Sequence, residues 1–466
     1  MTETLRHTSE VAAPLSPAQT LAVCSALLVE GMSASSINVQ VGVLRQEFAL
    51  SPGHLHLVAG AFLVAYAGFL PVAGRLVDVR DKRRVFQLGI LLFSAGCVLC
   101  AAAWDPWSLI AGRAVQGAAA ALSTPAAFAL ITTGLSSGAA RNRAVGIFSA
   151  MGSVGFTLGL VLPGLIVAQF GWRLSFLLYL PLTIAVLLKT RGLGQTDTDS
   201  GGSADVIGAF AVTAIMILVV SAVGGVGATG NGLIAAELAG AGVLGLVYLR
   251  WARRTGRRMI PREVLGSRWV IAICLSLASV FAGIVTSMYL LSLTLQLHRG
   301  YDAFDTGLAL VPQSIANAAS AAFGAWLVTR YGATRVLATG MTMVVVGLGY
   351  LGLVGIDRPY LIGIMPAIIV IGVGVAMSYP AASIAAVDRV SAVHRGVTSG
   401  LLVTFQNLGG AVGLALATAA AVVPVPGQAD SGAAGMLVSA GFLVVGGLAA
   451  LAIGYRTAQR PIHGER

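Results

Sequence analysis

Along this chain, stretches of about 20 mainly apolar residues alternate with short polar turns, the length an α-helix needs to cross a ~30 Å hydrocarbon core. The two-residue alternation over ~10 residues that marks a membrane-spanning strand is missing. Fourteen stretches can be delimited: 21–44, 55–77, 85–103, 107–133, 144–168, 171–189, 205–226, 231–250, 269–293, 304–328, 335–355, 360–382, 396–423 and 432–455. The pattern predicts an all-α polytopic membrane protein with 14 transmembrane helices. An even number of crossings returns both termini to one side.

Charge then orients the bundle. Arg80, Lys82, Arg83 and Arg84 follow the second stretch, Arg141 and Arg143 the fourth, and Lys189 and Arg191 end the sixth. RWARRTGRRMIPREVLGSR (250–268) follows the eighth, Arg330 and Arg335 the tenth, and Arg389 and Arg395 the twelfth. The opposite turns hold Arg45, Arg173, Arg299 and Arg358. Basic residues gather in cytoplasmic loops, so both termini are expected in the cytosol, with the protein in the inner (cytoplasmic) membrane. The polar opening MTETLRHTSEVAAPLSPAQT lacks a cleavable signal-peptide pattern, which agrees.

Composition supports the same class. The chain has 466 residues, 57% hydrophobic and 10% charged, against about 25% charged in soluble domains. Its 59 glycines suit helices that approach closely. The net charge of +11 lies in the membrane-flanking loops and does not call for nucleic acid. Cys24, Cys97, Cys100 and Cys274 all fall in apolar stretches. The C-x-x-C of Cys97 and Cys100 has no second pair or nearby His to complete a metal site, so these thiols read as small apolar fillers. With no phosphate loop and no Ser/His/Asp set, no enzyme activity, cofactor or metal is expected.

The chain also contains a weak internal repeat. LVDVRDKRRVFQLG (76–89) and LVTRYGATRVLATG (327–340) share Leu, Val, Arg, Val and Gly at an offset of 251, and VGFTLGL (154–160) aligns with LGGAVGL (408–414) at 254. The second, third and fifth stretches thereby pair with the tenth, eleventh and thirteenth. The expected layout is a cytosolic tail (1–20), a six-helix half (21–190), a cytosolic linker (191–204) and two inserted helices (205–250). A basic cytosolic linker (251–268), a second six-helix half (269–455) and a cytosolic C-terminal tail (456–466) follow. Parallel halves around a midplane site are a transporter architecture.

Ionisable groups within lipid are costly and point to function. Arg113, in LIAGRAVQGAAAAL (109–122), lies about six residues, or ~9 Å, from the outer end of its stretch. It should face the bundle interior, although an interfacial Arg could also snorkel outward. Gln116 stands one turn on, flanked by Gly112 and Gly117. Glu30 occupies the middle of the first stretch, in ALLVEGMSASSINVQ (26–40). A carboxyl group there is expensive to ionise, which suits a carrier that loads and releases protons; a neutral acid satisfied by a neighbouring hydroxyl is the alternative. Ser33 and Asn38 widen the same polar face. Glu237, near the outer end of the eighth stretch, fits a structural or peripheral role. Gln296, the Gln313 and Asn317 pair behind Pro312, and Phe405, Gln406 and Asn407 could line a wet substrate cavity with Asn38 and Gln116, or hydrogen-bond between helices.

Several of these segments resemble one family. LIAGRAVQGAAAALSTPAA (109–127) resembles motif B of the major facilitator superfamily, and GRLVDVRDKRRVF (74–86) its motif A. GWRLSF (171–176) followed by Pro181, YLLSLTLQLHRGYDAFDTGLALVP (289–312) and HRGVTSGLLVTFQNLGGAVGLALA (394–417) are similar to the 14-helix drug:proton antiporter subfamily (EmrB/QacA type). The resemblance covers nearly the whole chain. It implies proton coupling for Arg113 and gating for Asp78, with Gly74 leaving room for an approaching helix and Arg84 in the basic turn. There are departures. Asp81 stands where motif A usually has Gly. Ser33 and Ser35 occupy the Asp and Thr positions of the family's first-helix pattern, while Asn38 matches its Asn. Glu30, one turn earlier, is then the candidate for the acidic role. The antiporter motif G-P-x-x-G-G reads GLVLPG (159–164), which leaves Gly155, Gly159 and Pro163 to set helix shape and close packing. The resemblance implies a monomeric transporter whose partners are a small-molecule substrate, protons and the lipid bilayer, performing proton-coupled efflux of amphipathic drugs or antibiotics. A dedicated exporter of one endogenous metabolite, or a non-transporting receptor or scaffold, are the alternatives.

Overall fold

The computed structural model describes residues 15–50, 52–132, 139–193, 206–224, 230–255, 262–354, 358–388, 390, 395–421 and 441. Its elements are helices: α1 (Pro17–Glu47), α2 (Pro52–Val79), α3 (Lys82–Ala101), α4 (Pro106–Thr132), α5 (Ala139–Phe170), α6 (Trp172–Leu177), α7 (Tyr179–Thr190) and α8 (Val206–Gly224). After these come α9 (Asn231–Thr255), α10 (Arg262–Gly266), α11 (Arg268–Leu297), α12 (Ala303–Tyr331), α13 (Ala333–Leu353), α14 (Tyr360–Val387) and α15 (Arg395–Ala421). Among the described residues ten helical segments are long and apolar enough to cross a membrane, and Leu55–Leu70 and Phe210–Val223 are shorter apolar helices. The sixth stretch of the sequence divides at Leu178 into α6 and α7. The fourteenth, 432–455, lies outside the described residues apart from Gly441, as do 1–14, 194–205, 256–261 and 456–466.

Local chemistry sets the helix ends. Ser16 caps α1: its hydroxyl accepts from the Gln19 amide at 3.3 Å, the Gln19 side chain accepts from the Ser16 amide at 3.0 Å, and Pro17 takes the first helical position. Asp81, Ser267 and Asp302 cap α3, α11 and α12 in the same sense. Between α12 and α13 the chain turns at Gly332 with φ 85°, a conformation that side-chain-bearing residues rarely adopt.

Two groups of helices pack alike. In the first, α1 lies on α5, α2 on α4 and α3 on α4; in the second, α11 lies on α15, α12 on α14 and α13 on α14. The groups meet where α2 packs on α15 and α12 on α5. Individual contacts repeat as well. A Cβ at Gly155 or Gly159 of α5 would stand 2.7 Å from Leu28 Cα or 2.5 Å from Met32 Cα of α1. A Cβ at Gly409 or Gly413 of α15, each 254 residues later, would stand 2.5 Å from Ala278 Cα or 2.6 Å from Ala282 Cα of α11. Gly89 abuts Ser123 as Gly340 abuts Ser378, and Gly117 abuts Phe62 as Gly372 abuts Gln313. In lipid, helix association depends on such close backbone approach rather than on a hydrophobic driving force.

The end of the bundle opposite the N-terminus of α1 is closed. Ser292 Oγ and Gln296 Nε2 of α11 both donate to the Asn38 carbonyl of α1, the latter at 3.3 Å. A Cβ at Gly307 of α12 would lie 2.9 Å from the Leu160 carbonyl carbon of α5, and one at Gly164 would lie 2.7 Å from the Ala303 carbonyl oxygen. Helix α8 packs on both α2 and α15, with Val64, Ala67, Met216, Val220, Ala411 and Ala415 in one apolar cluster. Helix α9 packs on α8, where Ser221 Oγ donates to Glu237 at 2.7 Å.

Candidate functional site

The polar face of α1 divides among three neighbours. Glu30 turns to α4: Ser123 Oγ donates to its Oε1 and Thr124 Oγ1 to its Oε2, each at 2.5 Å. Tyr66 of α2 stands beside this pair, near Thr124. The carboxyl group is buried and faces hydroxyl groups, with no basic side chain in ion-pair contact among the described residues. Such a cage tolerates both forms of the acid, because a hydroxyl donates to a carboxylate and accepts from a carboxylic acid.

Arg113 sits on α4 almost three turns from Ser123, so Glu30 and Arg113 do not touch. Arg113 is 1% exposed. Its Nη1 donates to Ser33 Oγ at 3.1 Å, to the Ser33 carbonyl at 3.2 Å and to Gln116 Oε1 at 3.1 Å. Phe62 covers it, 5.0 Å from ring centroid to guanidinium carbon. Gln116 Nε2 in turn donates to Cys97 Sγ at 3.2 Å. Ser33, which stands at the family's Asp position, is thus the α1 group that meets Arg113, and it brings no charge. Asn38 lies further along α1, its side chain donating to the Ser35 carbonyl at 3.0 Å and its own carbonyl sealed by α11.

The charged and amide groups have apolar counterparts in the second helix group. The Gly155/Gly409 and Leu28/Ala278 contacts place Glu30 opposite Val280 and Ser33 opposite Gly283, each 250 residues apart. Ser123/Ser378 and Gly117/Gly372 place Arg113 opposite Ile368 and Gln116 opposite Ile371, each 255 apart. Val280, Ile368 and Ile371 are fully buried. The packing frame therefore accepts aliphatic side chains at these positions, and holding charged groups there costs stability.

The remaining sequence candidates scatter. Gln296 joins the α1–α11 seal, its Nε2 also donating to Ser292 Oγ at 2.8 Å. Gln313 is buried and donates to Ser287 Oγ at 3.4 Å, while its Oε1 has no hydrogen-bond partner among the described residues. The Asn317 backbone borders Gly372. Phe405 packs against the main core, Gln406 Oε1 is buried without a hydrogen-bond partner among the described residues, and Asn407 Nδ2 turns back to the Val403 carbonyl of its own helix at 2.9 Å. Pro163 lies within α5. Asp78 occupies the last turn of α2. Among the described residues a Cβ at Gly74 would meet nothing within 4 Å. Arg84 is exposed and pairs with Asp81 at 3.7 Å.

Sequence reasoning missed the Glu30 partners. Ser123 and Thr124 precede Pro125 inside an apolar helix, and that STP step was an available signal. It also missed Arg83, which donates to the Arg191 and Leu193 carbonyls where α7 ends, while Gln87 donates to the Thr190 carbonyl at 3.0 Å. At the opposite end, Glu47 accepts from Arg173 Nη1 at 2.6 Å and from the Trp172 indole. Partial burial raises the Glu47 carboxyl pKa, and the hydrogen bonds from Arg173 and Trp172 outweigh that effect and hold it below its ordinary value.

The helix arrangement is that of a membrane transporter, and comparison with known proteins identifies the family. The family model described as Major Facilitator Superfamily matches residues 23–414, and a second match covers 273–461. The chain belongs to that superfamily: it is a multi-pass membrane transporter, not an enzyme. It is 30% identical over 427 residues to the cephamycin export protein CmcT of Amycolatopsis lactamdurans, covering 89% of this chain and 86% of the relative. It is 29% identical over 392 residues to the lincomycin resistance protein of Streptomyces lincolnensis, covering 84% and 81%. Among solved structures, a peptide transporter POT in complex with sulfate superposes with a TM-score of 0.68 at 17% identity, covering 96% of this chain and 97% of that one. A bacterial homologue of the human lysosomal transporter Spinster, inward-facing and unoccupied, gives 0.68 at 15%, covering 95% and 98%. At these identities the structural likeness establishes the fold.

Proposed function

We propose that this chain exports amphipathic small molecules, drugs or antibiotics, across the cytoplasmic membrane in exchange for protons. It works as a monomer of 14 helices in a 6 + 2 + 6 layout with both termini in the cytosol, as in the EmrB/QacA-type subfamily. The relatives named for cephamycin export and lincomycin resistance support the substrate class. Closure of the end over Asn38 supports a state open toward the basic loops, and rocking of the halves would expose the site alternately to each side.

One observation carries the reading: Glu30, a buried acid held by two hydroxyl groups, stands where the matching position of the other half is Val280. The fold does not need a carboxyl group there, so its role lies in transport. Glu30 is the proton carrier, Ser123 and Thr124 hold it in either protonation state, and Asp78 serves the gate at the end of α2. A membrane potential, negative inside, supplies ~2.3 kcal/mol per charge per 100 mV, so one proton per cycle can drive accumulation outside. The test is efflux of a fluorescent cationic dye from cells with and without the gene. Expression should lower retained dye, and a protonophore should abolish the difference. Efflux that survives the protonophore would refute proton coupling.

A second reading, export of a single endogenous product, is favoured by the likeness to an export protein named for one antibiotic. A resistance spectrum confined to one compound would select it.

A further inference from the structure

Arg113 lacks the countercharge that its position calls for. A buried guanidinium is stable when paired and hydrogen-bonded, and costly when not. Here every group it meets is neutral: Ser33, Gln116 and the face of Phe62. Among the described residues no carboxylate lies within ion-pair distance of it. The two acids that lie away from the helix ends, within the apolar stretches, are engaged elsewhere, Glu30 with Ser123 and Thr124 and Glu237 with Ser221. The fork is also half used. Nη1 makes all three hydrogen bonds, Nε is buried without a partner, and Nη2 makes none among the described residues. Packing does not explain the residue, since Ile368 fills the matching position of the second helix group.

We propose that the Arg113 pocket binds a small monovalent anion, a carboxylate group or chloride, which supplies the charge that Ser33 does not. Nε and Nη2 form the free edge of a planar donor pair, the geometry that takes a carboxylate in two parallel hydrogen bonds. The Phe62 ring beside the guanidinium is an apolar wall suited to an aromatic or alkyl body attached to that carboxylate. Arg113 and the Asn38 seal belong to the same end of the bundle, so opening that seal would uncover the pocket. The anion is then either an inorganic counter-ion or the acidic group of a transported molecule.

The experiment uses the purified full-length protein in detergent and follows thermal unfolding by tryptophan fluorescence. Sodium chloride and sodium benzoate are each titrated into a sodium sulfate buffer at constant ionic strength. The wild type should gain on the order of 2–4 °C at concentrations ~100-fold above Kd. Ser33→Asp supplies an internal carboxylate. It should unfold in sulfate alone at or above the anion-loaded wild-type midpoint and gain nothing from either salt. Arg113→Gln should lose the response as well. A rise with chloride alone supports an inorganic counter-ion, with benzoate alone the acidic group of a substrate, and with both a general anion pocket. No rise in the wild type, or an equal rise in Ser33→Asp, overturns the proposal. The readout involves no flux, so its failure is distinct from failure of the export reading.

Discussion

The α1–α5 contact offers a sharp mechanical test at Gly159. Replacing Gly by Ala adds one carbon, and an Ala in a helix interior is normally favoured by ~1 kcal/mol. At Gly159 that carbon would stand 2.5 Å from Met32 Cα and would also strike Ser35 Oγ. Carbon atoms rest at about 3.5–4.0 Å, so α1 and α5 would have to separate locally by about 1 Å. The obstacle is backbone, which cannot rotate away, and Ser35 Oγ is itself bonded to the Phe156 carbonyl of α5 at 2.7 Å. Overpacking of this kind typically costs 1–3 kcal/mol, enough to reverse the gain in helix propensity. Gly159→Ala should therefore lower the thermal midpoint of the purified protein. Gly146→Ala, in the same helix with nothing among the described residues within 4 Å of its Cβ, should leave it unchanged or raise it. Equal midpoints for Gly159→Ala and the wild type would refute this account of α1 against α5.

Two other predictions concern the ends of the bundle. Glu47 has a folded pKa below its unfolded value, so over that interval the unfolded chain binds more protons and stability rises with pH. Its contribution is complete above the ordinary carboxylate range and disappears as pH falls through the folded value; partial exposure limits it to under ~1 kcal/mol. Glu47→Gln should flatten the acid side of the midpoint-against-pH curve, and an unchanged slope would show that the Arg173–Trp172 clamp contributes nothing. At the other end, Asp78→Asn should insert normally and bind substrate in detergent, yet transport more slowly, measured as dye flux per molecule in vesicles. Wild-type flux would reduce GRLVDVRDKRR to a topology signal.

Much of the scaffold was legible because helix length in lipid is fixed by bilayer thickness, and apolar runs of that length are hard to mistake. The weak repeat was also physical. Gly155 and Gly159 match Gly409 and Gly413 because both pairs bring two helix backbones together, and neither contact leaves room for a Cβ. Sequence could not say which way the α1 polar face would divide. Glu30, Ser33 and Asn38 lie within about two turns, yet they meet α4 near Ser123, α4 near Arg113 and α11 respectively. Glu30 and Arg113 accordingly have separate partners, Ser123 and Thr124 for the acid and Ser33 and Gln116 for the base. The Glu30 cage was missed because hydroxyl groups in an apolar helix usually bond their own backbone, as Ser123 Oγ also does to the Ala119 carbonyl.

The role of Glu30 as proton carrier is tested most directly by transport in proteoliposomes under an imposed pH gradient. Wild type and Glu30→Gln, matched for amount and orientation, would be compared for gradient-driven substrate uptake and for substrate exchange without a gradient. The account predicts that Glu30→Gln loses gradient-driven uptake and its pH dependence while retaining downhill exchange, since the amide keeps the shape and hydrogen bonds of the site but cannot carry the proton. Gradient-driven uptake by Glu30→Gln equal to that of the wild type, with the same pH dependence, would contradict it.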